Sequence, residues 1–261
     1  MTPNDPAHAA GPIRPHRTLT HRYGSDDQRK AYVRALFDET AVEYDRTTGV
    51  LGLGSGARHR RQVLRQAGLR AGMTVLDTAA GTGQVTREAA AVVGEEGTVV
   101  ALDPSAGMLG QAQRQLPPGV LFVRGETERL PLADASVDFV SMGYAVRHVP
   151  DLVVAFSECR RVIRPGGRIV IMEIGPARGA VPRALLRFWM ARAVPVLSVV
   201  LGRGRDRYAR ARLLMEFYWD TLDGCVPPAT IEEAMRRAGF ADVKCATVLG
   251  LFRHYTGQRP A

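Results

Sequence analysis

The pattern of the chain predicts a single α/β domain, a mostly parallel sheet with helices on both faces and a helical lid inserted late. Three observations lead there. Short apolar runs alternate with helical periodicity from residue 74 to residue 173. That is the pattern of strands buried on both faces and joined by crossover helices. The first two apolar runs close on an aspartate, Asp77 and Asp103, and the first then enters a turn of small residues. From 175 to about 224 the alternation gives way to long helical stretches carrying Phe188, Trp189, Met190, Phe217, Tyr218 and Trp219.

Element by element, residues 1–24 are rich in Pro, His, Ala and Gly without periodicity and predict a flexible tail. Residues 26–45 repeat Tyr32, Leu36, Phe37 and Val42 at helical spacing, and 49–56 read as a glycine-rich loop. A helix over 57–68 follows, with Val63 and Leu64 on its apolar face. Strands are expected at 74–76, 98–102, 120–124, 137–142 and 168–173, with helices at 84–93, 106–116 and 152–162 between them. Residues 231–238 form a further helix stopped by Gly239, and the remainder reads as a closing strand pair. The domain is thus 25–261, with 175–224 as its lid.

The 261 residues suit one domain, and 46% hydrophobic content supplies a sizeable core. A net charge of +9 raises nucleic acid or an anionic membrane as partners. Lys30 and Lys244 are the only lysines, and the arginines are scattered apart from Arg203, Arg205, Arg207, Arg210 and Arg212. No nucleic-acid partner is expected; an anionic substrate or lipid surface explains the charge at least as well. Cys159, Cys225 and Cys245 are odd in number and lack a CxxC pair, so neither a disulfide framework nor a metal site is expected. The N-terminal stretch lacks the apolar core of a signal peptide. The longest apolar stretch, 184–201, is broken by Arg187, Arg192 and Pro195, which suits a membrane span poorly. The expectation is a cytoplasmic protein, or one peripheral at the inner face of a membrane.

The chemistry begins at Asp77-Thr78-Ala79-Ala80-Gly81-Thr82-Gly83. A strand ends in an acid and meets a turn whose small side chains let a ligand approach the backbone. No lysine follows, so this is not a phosphate-cradling loop. A glycine turn alone also fits an ordinary strand–helix corner. Asp103 stands about 20 residues further on, where an acid can accept both hydroxyls of a ribose. It can equally cap the helix after Ser105. The full dinucleotide-binding glycine pattern is absent, since Ala79 stands at its first position.

The segments DTAAGTG, LDPSAGML, GETERLPLADASVDFV and ECRRVIRPGGRIVIME follow in an order and spacing that resemble the class I methyltransferases. Adding ETAVEYD, GYAVRHV and AGFADVKCATVLGLFRHYTG, the chain resembles the ubiquinone/menaquinone-biosynthesis C-methyltransferases over about residues 36 to 257. The resemblance implies a Rossmann-like fold and S-adenosylmethionine as cofactor. It implies that Asp77, Ala79, Gly81, Thr82 and Gly83 hold the methionyl part, Asp103 the ribose, and Met108 the adenine. Glu126 and Thr127 fall beside the adenine amino group, and Gly143 stands where the family has a serine. The longer Glu126 and the missing hydroxyl at 143 are departures expected to reshape binding.

For catalysis the resemblance implies Arg147 and His148, with Tyr44, Asp45 and His254 at the active-site mouth. Methyl transfer to an aromatic carbon needs little beyond alignment and charge management. Arg147 would stabilise a developing phenolate and order a water that takes the proton. His148 would share in that transfer or make a structural hydrogen bond, and Tyr44 would serve catalysis or pack the lid. The ring-binding side departs most, with Thr48, Gly56, Ala57 and His59 at altered positions. Phe188, Trp189 and 194–201 suit a prenyl tail, a membrane surface or plain core coverage.

The expected partner is a small aromatic substrate, prenylated or not, and a homodimer is compatible with the sequence. Two alternatives stay open: another small aromatic or polyketide-like acceptor, and use of the cofactor for a different group transfer. A base-methylating enzyme is disfavoured, because Ser141-Met142-Gly143-Tyr144 replaces the Pro-Pro-aromatic grip after the fourth strand.

Overall fold

The computed structural model describes residues 11–51, 56–176, 179–200 and 206–261. Seven strands form one sheet, β1 (Thr74–Thr78), β2 (Thr98–Asp103), β3 (Leu121–Arg124), β4 (Val137–Gly143), β5 (Ile163–Ile174), β6 (Ala241–Val248) and β7 (Phe252–Gln258). Their order is β3-β2-β1-β4-β5-β7-β6. The first five run parallel, while β7 pairs antiparallel with both β5 and β6. The order reverses between β1 and β4, and there the chain leaves neighbouring strands in opposite directions and opens a crevice at their carboxyl ends.

Side chains alternate across the sheet. Leu76, Val140 and Ile169 join one core with α5 (Leu152–Val162) and α9 (Pro228–Arg237). Val75, Phe139, Val170 and Met172 join the other with α2 (Gly56–Gln66) and α3 (Gln84–Val93). Burial on both faces explains why these strands read as apolar runs rather than alternating ones. Helix α4 (Ala106–Gln115) follows β2 and is capped by Ser105, whose hydroxyl accepts from the Met108 amide at 3.0 Å.

Three stretches differ from expectation. Helix α1 (Asp26–Leu51) continues past residue 45 into the expected loop, steadied by Thr48 donating to the Tyr44 carbonyl at 2.9 Å. The rest of that loop, 52–55, lies outside the described residues. The expected tail is packed over its second half: the Pro15 carbonyl accepts from Val226 and that of Ile13 from Leu152, and His16 and Tyr23 are buried. Its first ten residues lie outside the description.

The third stretch is helical as expected, but in pieces: α6 (Ala180–Phe188), a π turn (Trp189–Ala193), α7 (Val194–Val200) and α8 (Asp206–Asp223). Pro195 brings no amide to the ladder, and the Val194 amide reaches back to Trp189 in a wide turn just ahead of it. These pieces and α1 enclose a separate core of Leu36, Met190, Val194, Leu214, Met215 and Phe217. No helix among the described residues is long and apolar enough to cross a membrane.

Candidate active site

Two cavities meet above the carboxyl ends of β1 and β4. The narrower runs between the strand ends and α1, lined by Ala79, Gly81, Asp103, Met108, Glu126, Thr127, Gly143 and His148. The wider, of about 620 Å³, is walled by α1, α2, the lid helices and the β6–β7 hairpin. Tyr44, Tyr144 and Tyr218 line both.

The strand-end turn is wound tightly, with Ala79 at φ 52°, Gly81 at 58° and Gly83 at 84°. Left-handed backbone disfavours a side chain, so small residues are needed at this corner. Asp77 does not reach the cavity. Fully buried, it accepts from Thr86 at 2.6 Å and Ser141 at 2.7 Å, tying α3 and β4 to the turn. Burial pushes its carboxyl up to about 6, against the pull of those two hydroxyls. Thr82 is also turned away and donates to Asp45 of α1. Gly83 starts α3, where a Cβ would sit 2.6 Å from Leu116. These residues shape the turn from behind rather than line the cavity.

Asp103 does face it. Its two oxygens accept the amides of Ser105 and Gly81, each at 2.8 Å, and burial raises it to about 6. Met108 is buried on the cavity wall, and Thr127 shares a 2.7 Å hydrogen bond with Thr78. The longer Glu126 is accounted for by α1: it pairs with Lys30 at 2.7 Å and Arg34 at 3.0 Å. Its carboxyl is held below the usual range, chiefly by the Lys30 hydrogen bond. Gly143 has a packing reason, since a Cβ there would overlap Val85. The serine expected from the resemblance has no room beside that valine.

Helix α1 roofs the narrower cavity and is latched to the strand-end loops along its length. Asp38 accepts from the Ser105 hydroxyl at 2.6 Å and the Gly107 amide at 2.9 Å, at the start of α4. Asp45 accepts from Thr82 and, at 2.8 Å, from Gln84. Arg29 donates to the carbonyls of Arg147 and Val149.

Arg147 and His148 share a 3-10 turn yet face different cavities. Arg147 lines the wider one; it is ion-paired to Glu173 at 3.0 Å and donates to Thr221 at 2.8 Å. Burial works against its charge, but Glu173 and the Tyr218 ring outweigh that and raise its pKa. His148 lines the narrower cavity, stacked on Phe217 at 5.2 Å between ring centroids and edge-on to Phe37. Both its nitrogens are buried without a partner, so it makes no structural hydrogen bond. Burial and then the Arg147 charge drive its pKa well below 6.5, which keeps it neutral.

Tyr44 accepts from the Tyr218 hydroxyl at 2.8 Å, and burial pushes it up to about 12. It is therefore a protonated phenol at neutral pH and no base. Tyr144 has φ 60°, a costly conformation for a bulky residue. Its amide is anchored on the Met172 carbonyl at 2.7 Å.

Tyr144 and Tyr218 were not singled out by sequence reasoning. Tyr144 lay in view within GYAVRHV, whereas Tyr218 had no signal beyond an aromatic on a lid helix.

The model of the ubiE/COQ5 methyltransferase family matches residues 24–253. The chain belongs to that family. It is accordingly an S-adenosylmethionine-dependent methyltransferase. Among its relatives, the demethylmenaquinone methyltransferase of Beutenbergia cavernae is 37% identical over 177 residues, 67% of this chain and 72% of that protein. The one of Symbiobacterium thermophilum is 31% identical over 224 residues, covering 84% and 88%. Among solved structures, an S-adenosylmethionine-dependent methyltransferase from Aquifex aeolicus superposes with a TM-score of 0.58 at 19% identity, covering 82% of this chain and 98% of that one. That likeness concerns the fold, which is the Rossmann-like class I methyltransferase fold.

The narrower cavity fits the family's cofactor. Space stands open above Gly81, where an added Cβ would meet nothing within 4 Å, and Asp103 presents a carboxylate beside it. Met108 offers an apolar wall further along.

Proposed function

We propose that this family member C-methylates an aromatic quinol of the demethylmenaquinol or ubiquinol-precursor type. The observation that carries the reading is the three-tyrosine wall shared by both cavities, with the buried Arg147 among the residues lining the acceptor side. S-adenosylmethionine, when bound, supplies an electrophilic methyl group. Asp103 would hold the ribose, and Met108 and Thr127 would border the adenine, at the end of the cavity closed by Glu126. Ala79, Gly81 and Gly143 leave room for the methionyl part, while Asp77, Thr82 and Gly83 hold the turn in shape.

On the acceptor side Arg147 stabilises negative charge growing on a ring oxygen as the phenol loses its proton to water. Tyr44 and Tyr218, hydrogen-bonded as a pair, would orient the acceptor ring where the two cavities meet. His148 stays neutral and, packed between Phe217 and Phe37, walls the narrower cavity as a positioning residue rather than serving as a strong base.

The relatives' names supply the quinone chemistry, and the lid supplies its lipid side. Leu186, Met190, Leu222, Val248, Leu249 and Leu251 line the wider cavity. Leu185, Phe188, Val196, Val200 and Leu249 expose apolar side chains around it. Residues 174–205 carry arginines and no acid. A prenyl tail lies along this wall, and the same face rests on an anionic membrane surface.

The test is methyl transfer from labelled S-adenosylmethionine to a short-chain demethylmenaquinol under anaerobic conditions, with the product placed by mass spectrometry. Ring-carbon methylation is expected. Arg147→Gln should lower kcat about a hundredfold, the scale of a lost charge-stabilising donor, with cofactor affinity unchanged. No transfer to any quinol, or an Arg147→Gln enzyme of normal kcat, would sink this reading.

A further inference from the structure

The wider cavity has a second pole that methyl transfer to a neutral quinol does not use. On its α2–α3 side it is lined by His59, Arg60, Gln84, Arg87 and Gln115. Among the described residues neither arginine has a carboxylate partner. Arg87 donates to the backbone and side-chain oxygens of Gln115, both at 3.2 Å. Arg60 lies against the Tyr144 phenol, and its Nε is buried with no partner. The acid on this wall, Asp45, already accepts from Thr82 and Gln84.

Beside Arg60, His59 and the buried His254 share a 2.9 Å hydrogen bond between their Nε2 atoms. Burial lowers both, and it takes His254 to about 4; the Arg60 charge adds to the effect on His59. The pair thus bears no positive charge at neutral pH, and the cationic character of the pole comes from its arginines. Arg87 is exposed and solvated, but Arg60 is half-buried, its buried Nε leaves a bond for water or a ligand to complete, and the planar fork of a guanidinium matches a carboxylate.

We infer that this pole is a carboxylate subsite, and that among quinol-type acceptors the site favours a ring that also bears an acidic substituent, held by Arg60 with support from Arg87 and the His59–His254 pair. The inference rests on reading the wider cavity as the acceptor site. Because Arg60 touches Tyr144, the acid lies next to the tyrosine wall, and the apolar wall of Leu186, Met190 and Phe252 remains for the rest of the molecule. The carboxylate of the cofactor is a competing occupant. Arg60 and Arg87 border the wider cavity and not the narrower one, which favours the acceptor.

The experiment is calorimetric titration of the protein saturated with S-adenosylhomocysteine, using 1-hydroxy-2-naphthoate and 1-naphthol as a pair differing by one carboxylate. The acid should bind about tenfold tighter or better, as one charge-assisted fork implies. Arg60→Gln should abolish the preference and Arg60→Lys should keep part of it. Arg58→Gln, exposed on the same helix, should leave it unchanged. If Arg60→Gln fails to fold by thermal melting, Arg87→Gln takes its place and should reduce the preference severalfold.

Equal binding of acid and naphthol overturns the inference, as does a preference that survives both substitutions. A tenfold loss of S-adenosylhomocysteine affinity in Arg60→Gln also overturns it, by giving the arginine to the cofactor. Methylation of neutral quinols without any preference for acids leaves the proposed function standing while this subsite falls. Tight, Arg60-dependent binding of the acid with no quinol methylated leaves the subsite and removes the quinol reading.

Discussion

Asp103 carries a prediction that follows from its surroundings. The carboxyl sits near 6 because burial raises it more than the Ser105 and Gly81 amides lower it. A raised carboxyl is ionised at pH 7 to 8 and takes up its proton as pH falls through about 6, so cofactor affinity should be flat above 7 and weaken below 6. Asp103→Asn should cost about 1.5–3 kcal/mol of cofactor binding, the worth of hydrogen bonds to a charged group, and should flatten that pH dependence. Calorimetry from pH 5 to pH 8 checks both, and an unchanged slope in the variant would move the titration to another group. Gly143 gives a packing prediction. Gly143→Ala must displace Val85 and should destabilise by about 1–3 kcal/mol, as overpacking does. Adding Val85→Ala should return part of that loss, since the two sites touch and their effects will not sum. Urea melts of the two singles and the double measure the coupling.

At the scale of elements, α1 is the piece that closes the narrower cavity. It has few apolar contacts with the strand ends and is held there by Asp38, Asp45, Arg29 and the Lys30–Glu126–Arg34 pairs. Asp38 is placed well, because an acid at the start of α4 meets free amides and the positive end of the helix dipole. Asp38→Ala should speed cofactor dissociation about tenfold while moving the melting temperature only a few degrees, since roughly 1 kcal/mol of capping is lost. Stopped-flow release of S-adenosylhomocysteine reads the rate, and hydrogen exchange over 30–45 should rise with it. An unaltered dissociation rate would mean the cofactor leaves by another path.

For the whole molecule, most of the large apolar side chains left in solvent belong to the lid and the β6–β7 hairpin, with Val42 on α1 and Leu121 on β3 also exposed. Leu185, Phe188, Val196, Val200, Val248 and Leu249 lie on α6, α7 and the hairpin that borders the acceptor cavity. Helix α6 buries none of its residues, an unusual state for so amphipathic a segment. Co-sedimentation with anionic phospholipid vesicles should show binding that weakens with salt, and Leu185→Ser with Phe188→Ser should reduce it at least about tenfold. Size exclusion without lipid is the counterpart. A dimer lost in the same double variant, with no vesicle binding, would assign the face to a second copy instead.

The β-α alternation, the strand-end aspartates and the motif order were legible in the chain because a buried parallel strand writes itself as an apolar run and a ligand-facing turn must be small. Ala79, Gly81 and Asp103 could be singled out that way, Met108 and Thr127 only through the family resemblance, and all five line the narrower cavity. Periodicity could not tell which motif residues face the ligand. Asp77 and Thr82 turn inward to Ser141, Thr86 and Asp45, which come from 9 to 64 residues away in the chain. Nor could adjacency show that Arg147 and His148 part company, since one turn of 3-10 helix sends consecutive side chains in different directions. Tertiary structure alone decided the tyrosine wall, the α1 latches and the placing of Arg60 and Arg87 on the wider cavity without a carboxylate partner among the described residues. Each depends on elements distant in sequence being brought together by burial of the two sheet faces and the lid, and local pattern holds no record of that.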